Sequence, residues 1–294
     1  MQVVAIFGPT AVGKTGVAIA LAERLRGRGE DPVGVNCDAI QVYRGLEILS
    51  GAATGEERSR LEHRLLGLVP IDGEFSAGRY AQLAHGEIDA LLASGRRPIV
   101  VGGTGLYLRA ALADLELRPP VPGEIRRSVE AEIAERGPEA LHAELDPDLA
   151  SSVHPNDRKR VGRLTELERA GIAPARGSEG LWTKKLRRET LLAGLTVDRD
   201  ELAKRIDERV GRMVAAGALE EVKRADAACA SRTARAAIGF EELLRGDVEA
   251  TKRAQRAYAR RQLTWMRKMP GLKPIDRTGL SDGEVAALIA AKLD

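Results

Sequence analysis

The stretch GPTAVGKT, residues 8–15, constrains the fold of this chain more than any other feature. It follows the apolar run MQVVAIF and fits the pattern GxxxxGK[ST], which joins a strand to a helix. The glycines let successive backbone N–H groups point into one concavity, and the helix N-terminus adds partial positive charge. The pattern predicts a site for phosphate groups, although it does not reveal which bond is broken.

Two residues of this loop have specific expected roles. We expect Lys14 to reach the outer phosphates and the hydroxyl of Thr15 to bind Mg²⁺. The expected phosphate-binding residues are Gly8, Pro9, Thr10, Ala11, Val12, Gly13, Lys14 and Thr15.

Apolar segments rich in valine and isoleucine predict three buried strands, at residues 3–8, 31–38 and 97–105. Residues 15–29 and 76–95 carry apolar residues at helical spacing and end at glycines, so they predict helices. This alternation predicts an α/β fold with a parallel sheet flanked by helices.

The pattern changes after Arg118, where PPVPGE interrupts the chain. Residues 123–145 and 155–171 then predict amphipathic helices that are less apolar than the earlier ones. We therefore expect a core made of residues 1–118 and 196–294, with residues 119–195 inserted as a smaller helical domain.

Composition narrows the class of protein. The 294 residues are 44% hydrophobic, yet no apolar stretch approaches the roughly 20 residues that span a bilayer. We expect no membrane association, and a cytoplasmic location is the default. Cys37 and Cys229 lie far apart without metal-ligand spacing, so neither a disulfide framework nor a zinc site is predicted.

Basic residues are unevenly distributed, although the net charge is only +3. Residues 251–273 contain eight basic residues and no acidic one, and RKRVGR at 158–163 forms a second cluster. Each cluster alone could be a solvated helix face. Two clusters beside one site would favour a polyanionic partner.

Two polar residues follow predicted strands. Asp38 follows the second strand in NCDAIQVYRGLEI, and Thr104 follows the third in GGTGLY. In an open parallel sheet, these strand ends lie beside the first loop. Asp38 could serve as a general base, orient Mg²⁺ or only cap a turn, and Gly-Gly-Thr could be only a tight turn.

The segments together resemble bacterial tRNA dimethylallyltransferases nearly end to end. Motifs in that family's order are GPTAVGKT, DAIQVYRGLEI, HRL, FSAGRYAQLA, VVGGTGLYLRA, DRKRVGRLTELE, AAIGFEEL and RRQLTWMRK. The resemblance implies a core similar to P-loop NTPases. It also implies transfer of a dimethylallyl group from dimethylallyl diphosphate to N6 of the adenosine 3′ of the tRNA anticodon.

The resemblance also implies roles for the site residues. The loop would hold the diphosphate with Mg²⁺, and no phosphoryl group would move. Asp38 would accept a proton from N6, while Thr10 and Thr104 would line the reaction channel. The residues expected to meet the extruded nucleotide are Asp38, Ala39, Ile40, Gln41 and Thr104.

The partner implied by the resemblance is the tRNA anticodon stem-loop, bound by a monomer. Expected RNA contacts are Arg126, Arg160, Arg163, Arg260 and Arg261, with Arg267 as a further candidate. Tyr258, Gln262 and Trp265 recur on one helix face, as either a platform for bases or a packed face. We favour packing for Trp265.

One departure from the family and two alternatives stay open at this point. Ala236 stands where the family commonly has glutamine or arginine, which leaves Arg235 as a candidate substitute. The chain could instead be a P-loop small-molecule kinase or an isopentenyltransferase acting on free adenine nucleotides. A non-catalytic RNA-binding protein is the third possibility. The basic segment at residues 251–273 favours an RNA substrate, because an enzyme for free nucleotides does not need it.

Overall fold

The computed structural model describes residues 1–117, 119–173 and 179–293. They form two compact units. The larger unit combines Met1–Leu115 with Glu179–Asp294, and the smaller one comprises Glu116–Ser178.

A parallel sheet of six strands, in the order β3-β2-β4-β1-β5-β6, forms the centre of the larger unit. The strands are β1 (Val3–Phe7), β2 (Pro32–Asn36), β3 (His63–Arg64), β4 (Arg97–Gly102), β5 (Thr190–Thr196) and β6 (Lys273–Asp276). The three strands predicted from sequence are confirmed as β1, β2 and β4, and the α/β class with a parallel sheet is confirmed with them.

Helices cover the sheet and supply the smaller unit. Those of the larger unit are α1 (Lys14–Arg26), α2 (Glu47–Ser50), α3 (Gly55–Arg60), α4 (Ala77–Ala93), α5 (Gly105–Leu112), α10 (Arg199–Ala215), α11 (Ala218–Ala227), α12 (Arg232–Arg235), α13 (Phe240–Leu244), α14 (Val248–Lys268) and α15 (Asp282–Ala290). Those of the smaller unit are α6 (Gly123–Arg136), α7 (Pro138–Glu144), α8 (Pro147–Ala150) and α9 (Arg158–Arg169). A short 3-10 helix spans Glu179–Trp182.

The buried strand β1 explains why this sequence forms a central strand. All five residues of VVAIF are buried, and β1 pairs with β4 on one side and β5 on the other. Such continuous apolar runs are typical of parallel strands covered on both faces. Helices α1 and α15 share a core cluster with the sheet, in which Leu21 and Ile289 are fully buried.

The smaller unit has its own apolar core, built mainly from α6, α7 and α9. Val129, Leu141 and Val161 are its fully buried residues. The predicted helix over 123–145 is divided at Gly137, whose φ of 80° lies in the left-handed region that glycine adopts readily.

The predicted end of the insertion at residue 195 was wrong. Strand β5 (Thr190–Thr196) pairs with β1 along its length, from Val3 opposite Thr190 to Phe7 opposite Gly194, so it belongs to the core sheet. The sequence pattern assigned it to the insertion because a single short apolar run follows a long polar link. Position 118, where the first core segment was predicted to end, lies outside the described residues.

Within the described ranges, no helix combines the length and apolar character needed to cross a membrane.

A close approach between β2 and β4 provides a test of the packing. A Cβ atom built on Gly102 would lie 2.5 Å from the backbone carbonyl carbon of Cys37. We expect Gly102→Ala to lower the free energy of unfolding by about 1–3 kcal/mol, because the two strands cannot separate without losing hydrogen bonds. Chemical denaturation measures the change.

Gly86→Ala is the matched control. Gly86 lies in α4, and nothing lies within 4 Å of a Cβ atom built there. The free energy of unfolding of this variant should rise by up to about 1 kcal/mol, since alanine has a higher helix propensity than glycine. Equal stability of the two variants would contradict the assigned packing.

Candidate active site

The loop that follows β1 forms a cradle of backbone N–H groups. Ala11 and Gly13 adopt positive φ values of 63° and 88°, and α1 begins directly afterwards at Lys14. The backbone N–H groups of Gly13, Lys14 and Thr15 make no hydrogen bond to any residue that the structure describes. Unpaired donors at a helix N-terminus form an anion site.

The ammonium of Lys14 folds back over this loop. Its Nζ atom donates to the carbonyl oxygens of Gly8 at 3.1 Å and Pro9 at 2.9 Å. The pKa of Lys14 is lowered to about 8, mainly by burial and also by the nearby Arg209, while Asp38 opposes the shift. The side chain is therefore held by neutral carbonyls, near a second cation.

Asp38 is fixed where β2 ends. The side chain of the buried Asn36 accepts the Asp38 N–H at 2.9 Å and donates to the carbonyl of Leu65 at 3.0 Å. Asp38 Oδ1 accepts the N–H of Ile40 at 2.9 Å. Among the described residues no hydrogen bond reaches its Oδ2 atom, so this oxygen can accept a proton from a bound molecule.

Thr104 joins the ends of β2 and β4. Its Oγ1 atom accepts the backbone N–H of Ala39 at 3.1 Å, and its backbone precedes the first turn of α5. Gln41 continues the same segment, and its Nε2 atom donates to the Gly51 carbonyl at 3.1 Å. The structure thus brings Thr104 into direct contact with the 38–41 segment, as the strand order leads one to expect.

Arg209, on α10, is a site residue that the sequence analysis missed. Its guanidinium donates to Thr10 Oγ1 at 2.7 Å and to the Ser50 carbonyl at 2.9 Å. Burial lowers its pKa, and Asp38 opposes the shift. The sequence did contain a signal for a buried arginine, because Arg209 lies beside Ile206 and Met213 on the apolar face of α10.

Gln262 connects two of the loops. Its Oε1 atom accepts the backbone N–H of Thr10 at 2.8 Å, and its Nε2 atom donates to the Gly103 carbonyl at 2.8 Å. The side chain is 3% exposed, so both hydrogen bonds are shielded from water. Helix α14 therefore holds the phosphate loop and the loop after β4 at a fixed separation.

The same helix presents basic residues outward. Arg260, Arg261 and Arg267 are all exposed, and the Arg261 guanidinium lies 5.4 Å from the centre of the Tyr258 ring. Trp265 packs against Trp182, with ring centres 5.0 Å apart, and its ring also occupies the space beside Gly105. The packing predicted for Trp265 is confirmed, while contacts of these arginines with RNA stay a prediction.

In the smaller unit, two of the three predicted RNA-binding arginines face one carboxylate. Arg163 donates to Glu166 at 2.8 Å, and the Nε atom of Arg126 lies 3.9 Å from the same side chain. Arg160 is exposed over 76% of its side chain beside Asp157. All three stay predictions as RNA contacts.

Arg235, the candidate substitute for Ala236, has several partners of its own. It donates to Glu241 at 3.0 Å, pairs with Asp226 and lies over the ring of Phe240. Whether Arg235 takes a part in the reaction stays a prediction, while Arg209 supplies a cation that contacts the phosphate loop.

The oxygen donors of the site fit Mg²⁺ in one specific way. Among the described residues, no group of three or more histidine, cysteine, aspartate or glutamate side chains could hold a metal ion. Mg²⁺ is commonly bound by one or two protein oxygens together with phosphate oxygens and water. The half-buried Thr15 hydroxyl in the first turn of α1 suits that mode.

Comparison with known proteins identifies similar sequences over most of the chain. The IPP transferase family model matches residues 41–269. A tRNA dimethylallyltransferase from Anaeromyxobacter dehalogenans is 43% identical over 289 residues, which cover 92% of this chain and 94% of the relative. One from Thermobifida fusca is 38% identical over 296 residues, covering 95% and 92%.

Solved structures agree with these relatives. A tRNA isopentenylpyrophosphate transferase from Bacillus halodurans matches with a TM-score of 0.71 and 32% identity, covering 99% of this chain and 96% of that one. A eukaryotic dimethylallyltransferase acting on tRNA matches with a TM-score of 0.76 and 26% identity, covering 99% and 77%.

The lowered pKa of Lys14 predicts how anion binding depends on pH. The ammonium is lost as the pH rises through about 8, so inorganic pyrophosphate should bind about tenfold more weakly at pH 9 than at pH 7. Isothermal titration calorimetry measures the affinity. Lys14→Arg is the control, because its guanidinium stays charged throughout. Parallel pH profiles for the two proteins would contradict the role of Lys14.

Proposed function

The chain belongs to the IPP transferase family, and from this premise we propose that it is a tRNA dimethylallyltransferase. It transfers a dimethylallyl group from dimethylallyl diphosphate to N6 of the adenosine 3′ of the tRNA anticodon. The observation that carries the proposal is the cradle of unpaired N–H groups beside Lys14, together with the carboxylate of Asp38 at the end of β2. The cradle suits a departing diphosphate, and the carboxylate suits the attacking amine.

The reaction is a substitution at the allylic carbon. The lone pair of N6 forms a bond to C1 of the dimethylallyl group, while the bond from C1 to the diphosphate oxygen breaks and its electrons leave with pyrophosphate. One N6 proton passes to Asp38, whose Oδ2 atom accepts no hydrogen bond among the described residues. Both substrates are thereby converted without any transfer of phosphate.

Charge stabilisation is the main contribution of the loop. Negative charge accumulates on the departing diphosphate, where Lys14 and the loop N–H groups hold it. Arg209 is tied to Thr10 of this loop and adds a second positive charge. Mg²⁺ bound through Thr15 and the phosphate oxygens would supply further Lewis-acid stabilisation of the leaving group.

The nucleotide must leave its stacked position before it can react. A base inside a loop stack does not expose N6 to a pocket, so the enzyme extrudes it. Residues 38–41 and Thr104 form one hydrogen-bonded segment at the end of β2 and suit contact with the extruded base. Thr10 lines the same site through its contact with Arg209.

Phosphate contacts orient the RNA. We assign the exposed Arg260 and Arg261 of α14 to the anticodon stem-loop, with Arg126, Arg160 and Arg163 of the smaller unit as further contacts. Helix α14 also contacts the site through Gln262, so one element serves RNA binding and loop position. This favours tRNA over a free nucleotide or a small-molecule kinase substrate.

We propose that the protein acts as a monomer in the cytoplasm, where tRNA is modified. Incubation of the purified protein with Mg²⁺, dimethylallyl diphosphate and an anticodon stem-loop should yield prenylated RNA, detected by mass spectrometry. Absence of such RNA with several stem-loops that carry the adenosine would contradict the proposal.

Substitution of the proposed base separates catalysis from binding. Asp38→Asn should lower kcat by about 10²–10⁴-fold, because the amide cannot accept the proton. Its affinity for the stem-loop, measured by fluorescence anisotropy, should stay within about twofold, since phosphate contacts dominate binding. Asp31→Asn, at the other end of β2, is the control and should keep full activity. A fully active Asp38→Asn variant would exclude this base, and a wild-type protein without turnover would favour the RNA-binding alternative.

Substitution of Arg260 and Arg261 distinguishes a tRNA substrate from a free nucleotide. Arg260→Gln/Arg261→Gln should raise the KM for the stem-loop about tenfold or more and leave the KM for dimethylallyl diphosphate unchanged. The slope of log affinity against log salt should fall by about two, one for each lost phosphate contact.

The charge-matched control is Arg24→Gln/Lys223→Gln, two exposed residues on α1 and α11. It should reproduce neither effect. The assignment of α14 to RNA would be contradicted if both double variants lost RNA affinity equally, or if neither lost any.

A further inference from the structure

A buried arginine contacts the phosphate loop from the C-terminal segment. Arg277 follows β6 and is 6% exposed, and its Nη1 atom donates to the Val12 carbonyl at 2.8 Å. Its Nη2 atom lies 2.9 Å from Asp282 Oδ1, in an ion pair that spans the turn between β6 and α15. Arg277 lies beyond residues 41–269, the range that the family model matches.

Two glycines of the loop region make room for this ion pair. A Cβ atom built on Gly13 would lie 2.2 Å from Arg277 Nη1, and one built on Gly16 would lie 2.0 Å from Asp282 Oδ2. Both separations are too short for any non-bonded contact. The loop and the first turn of α1 therefore fit against Arg277 and Asp282, so the contact is built into the sequence on both sides.

Peptide geometry connects this contact to the anion site. The Val12–Gly13 peptide is trans, so its C=O and N–H groups point in opposite directions. We propose that Arg277 is a positioning residue for prenyl transfer: by holding the Val12 carbonyl behind the loop, it keeps the Gly13 N–H directed toward the diphosphate. This inference rests on the proposed function, because it requires that the loop bind a diphosphate.

The burial of Arg277 supports a specific role. Its Nε atom is buried and has no hydrogen-bond partner among the described residues, which destabilises the folded chain. An apolar side chain would avoid this penalty but could not hold the carbonyl.

Arg97 provides a matched control. It is 7% exposed, pairs with Glu30 and donates to the Gln2 carbonyl at 2.7 Å. It begins β4 and so lies at the opposite end of the sheet from the loop that follows β1. Arg97→Gln therefore removes a similarly buried guanidinium, with one carboxylate and one carbonyl partner, away from the anion site.

Calorimetric titration with inorganic pyrophosphate and Mg²⁺ tests the proposal. Arg277→Gln should bind pyrophosphate at least tenfold more weakly than wild type, and its KM for dimethylallyl diphosphate should rise while its KM for the stem-loop is unchanged. Arg97→Gln should bind pyrophosphate with an affinity within twofold of wild type, even if its melting temperature falls as much as that of Arg277→Gln. Should Arg277→Gln not fold, Asp282→Asn replaces it, with a threefold or greater loss expected.

The outcomes separate this inference from the proposed function. Unchanged pyrophosphate binding in Arg277→Gln or its replacement, or an equal loss in Arg97→Gln, would overturn the positioning role alone. If the wild-type protein itself does not bind pyrophosphate, the diphosphate role of the loop fails, and the role of Arg277 fails with it.

Discussion

Lys14 and Arg209 place two positive charges near the carboxylate of Asp38, at the carboxyl ends of the strands. Lys14 donates to backbone carbonyls, and Arg209 donates to the Thr10 hydroxyl. Burial lowers the pKa of both side chains, and the charge of Arg209 also lowers the pKa of Lys14. Positive charge in this region is therefore incompletely balanced until an anion arrives. The contacts that hold the loops in place come from distant parts of the chain.

Those contacts link the loops of the site to one another. Gln262 holds the first loop to the loop after β4, and Thr104 holds that loop to Ala39. Arg277 secures the back of the first loop through Val12. Preorganised donors stabilise developing charge without reorganising during the reaction. A diphosphate leaving group benefits from this in the same way as a transferred phosphoryl group, so one loop type supports both reactions.

Local signals in the sequence predicted three of the six strands and candidate residues for the site. The loop pattern and the buried runs predicted β1, β2 and β4, because each is a short run rich in valine or isoleucine that ends at glycine or polar residues. Strand β5 was assigned to the insertion, since its place in the sheet is evident only from its pairing with β1, where Val3 lies opposite Thr190. Arg209 and Arg277 were missed for the same reason: their partners, Thr10 and Val12, lie about 200 residues or more away. Gln262 was found on a helical face, but its two hydrogen bonds could not be deduced from spacing.

In the proposed reaction, the loop binds a diphosphate that leaves intact as an alkyl group moves. Phosphorus NMR of the products, after incubation with Mg²⁺, dimethylallyl diphosphate and the anticodon stem-loop, distinguishes this reaction from phosphoryl transfer. We expect one pyrophosphate to be released for each prenyl group on the RNA, with no phosphate added to any acceptor. Release of orthophosphate in step with the reaction, or a phosphorylated product, would contradict it.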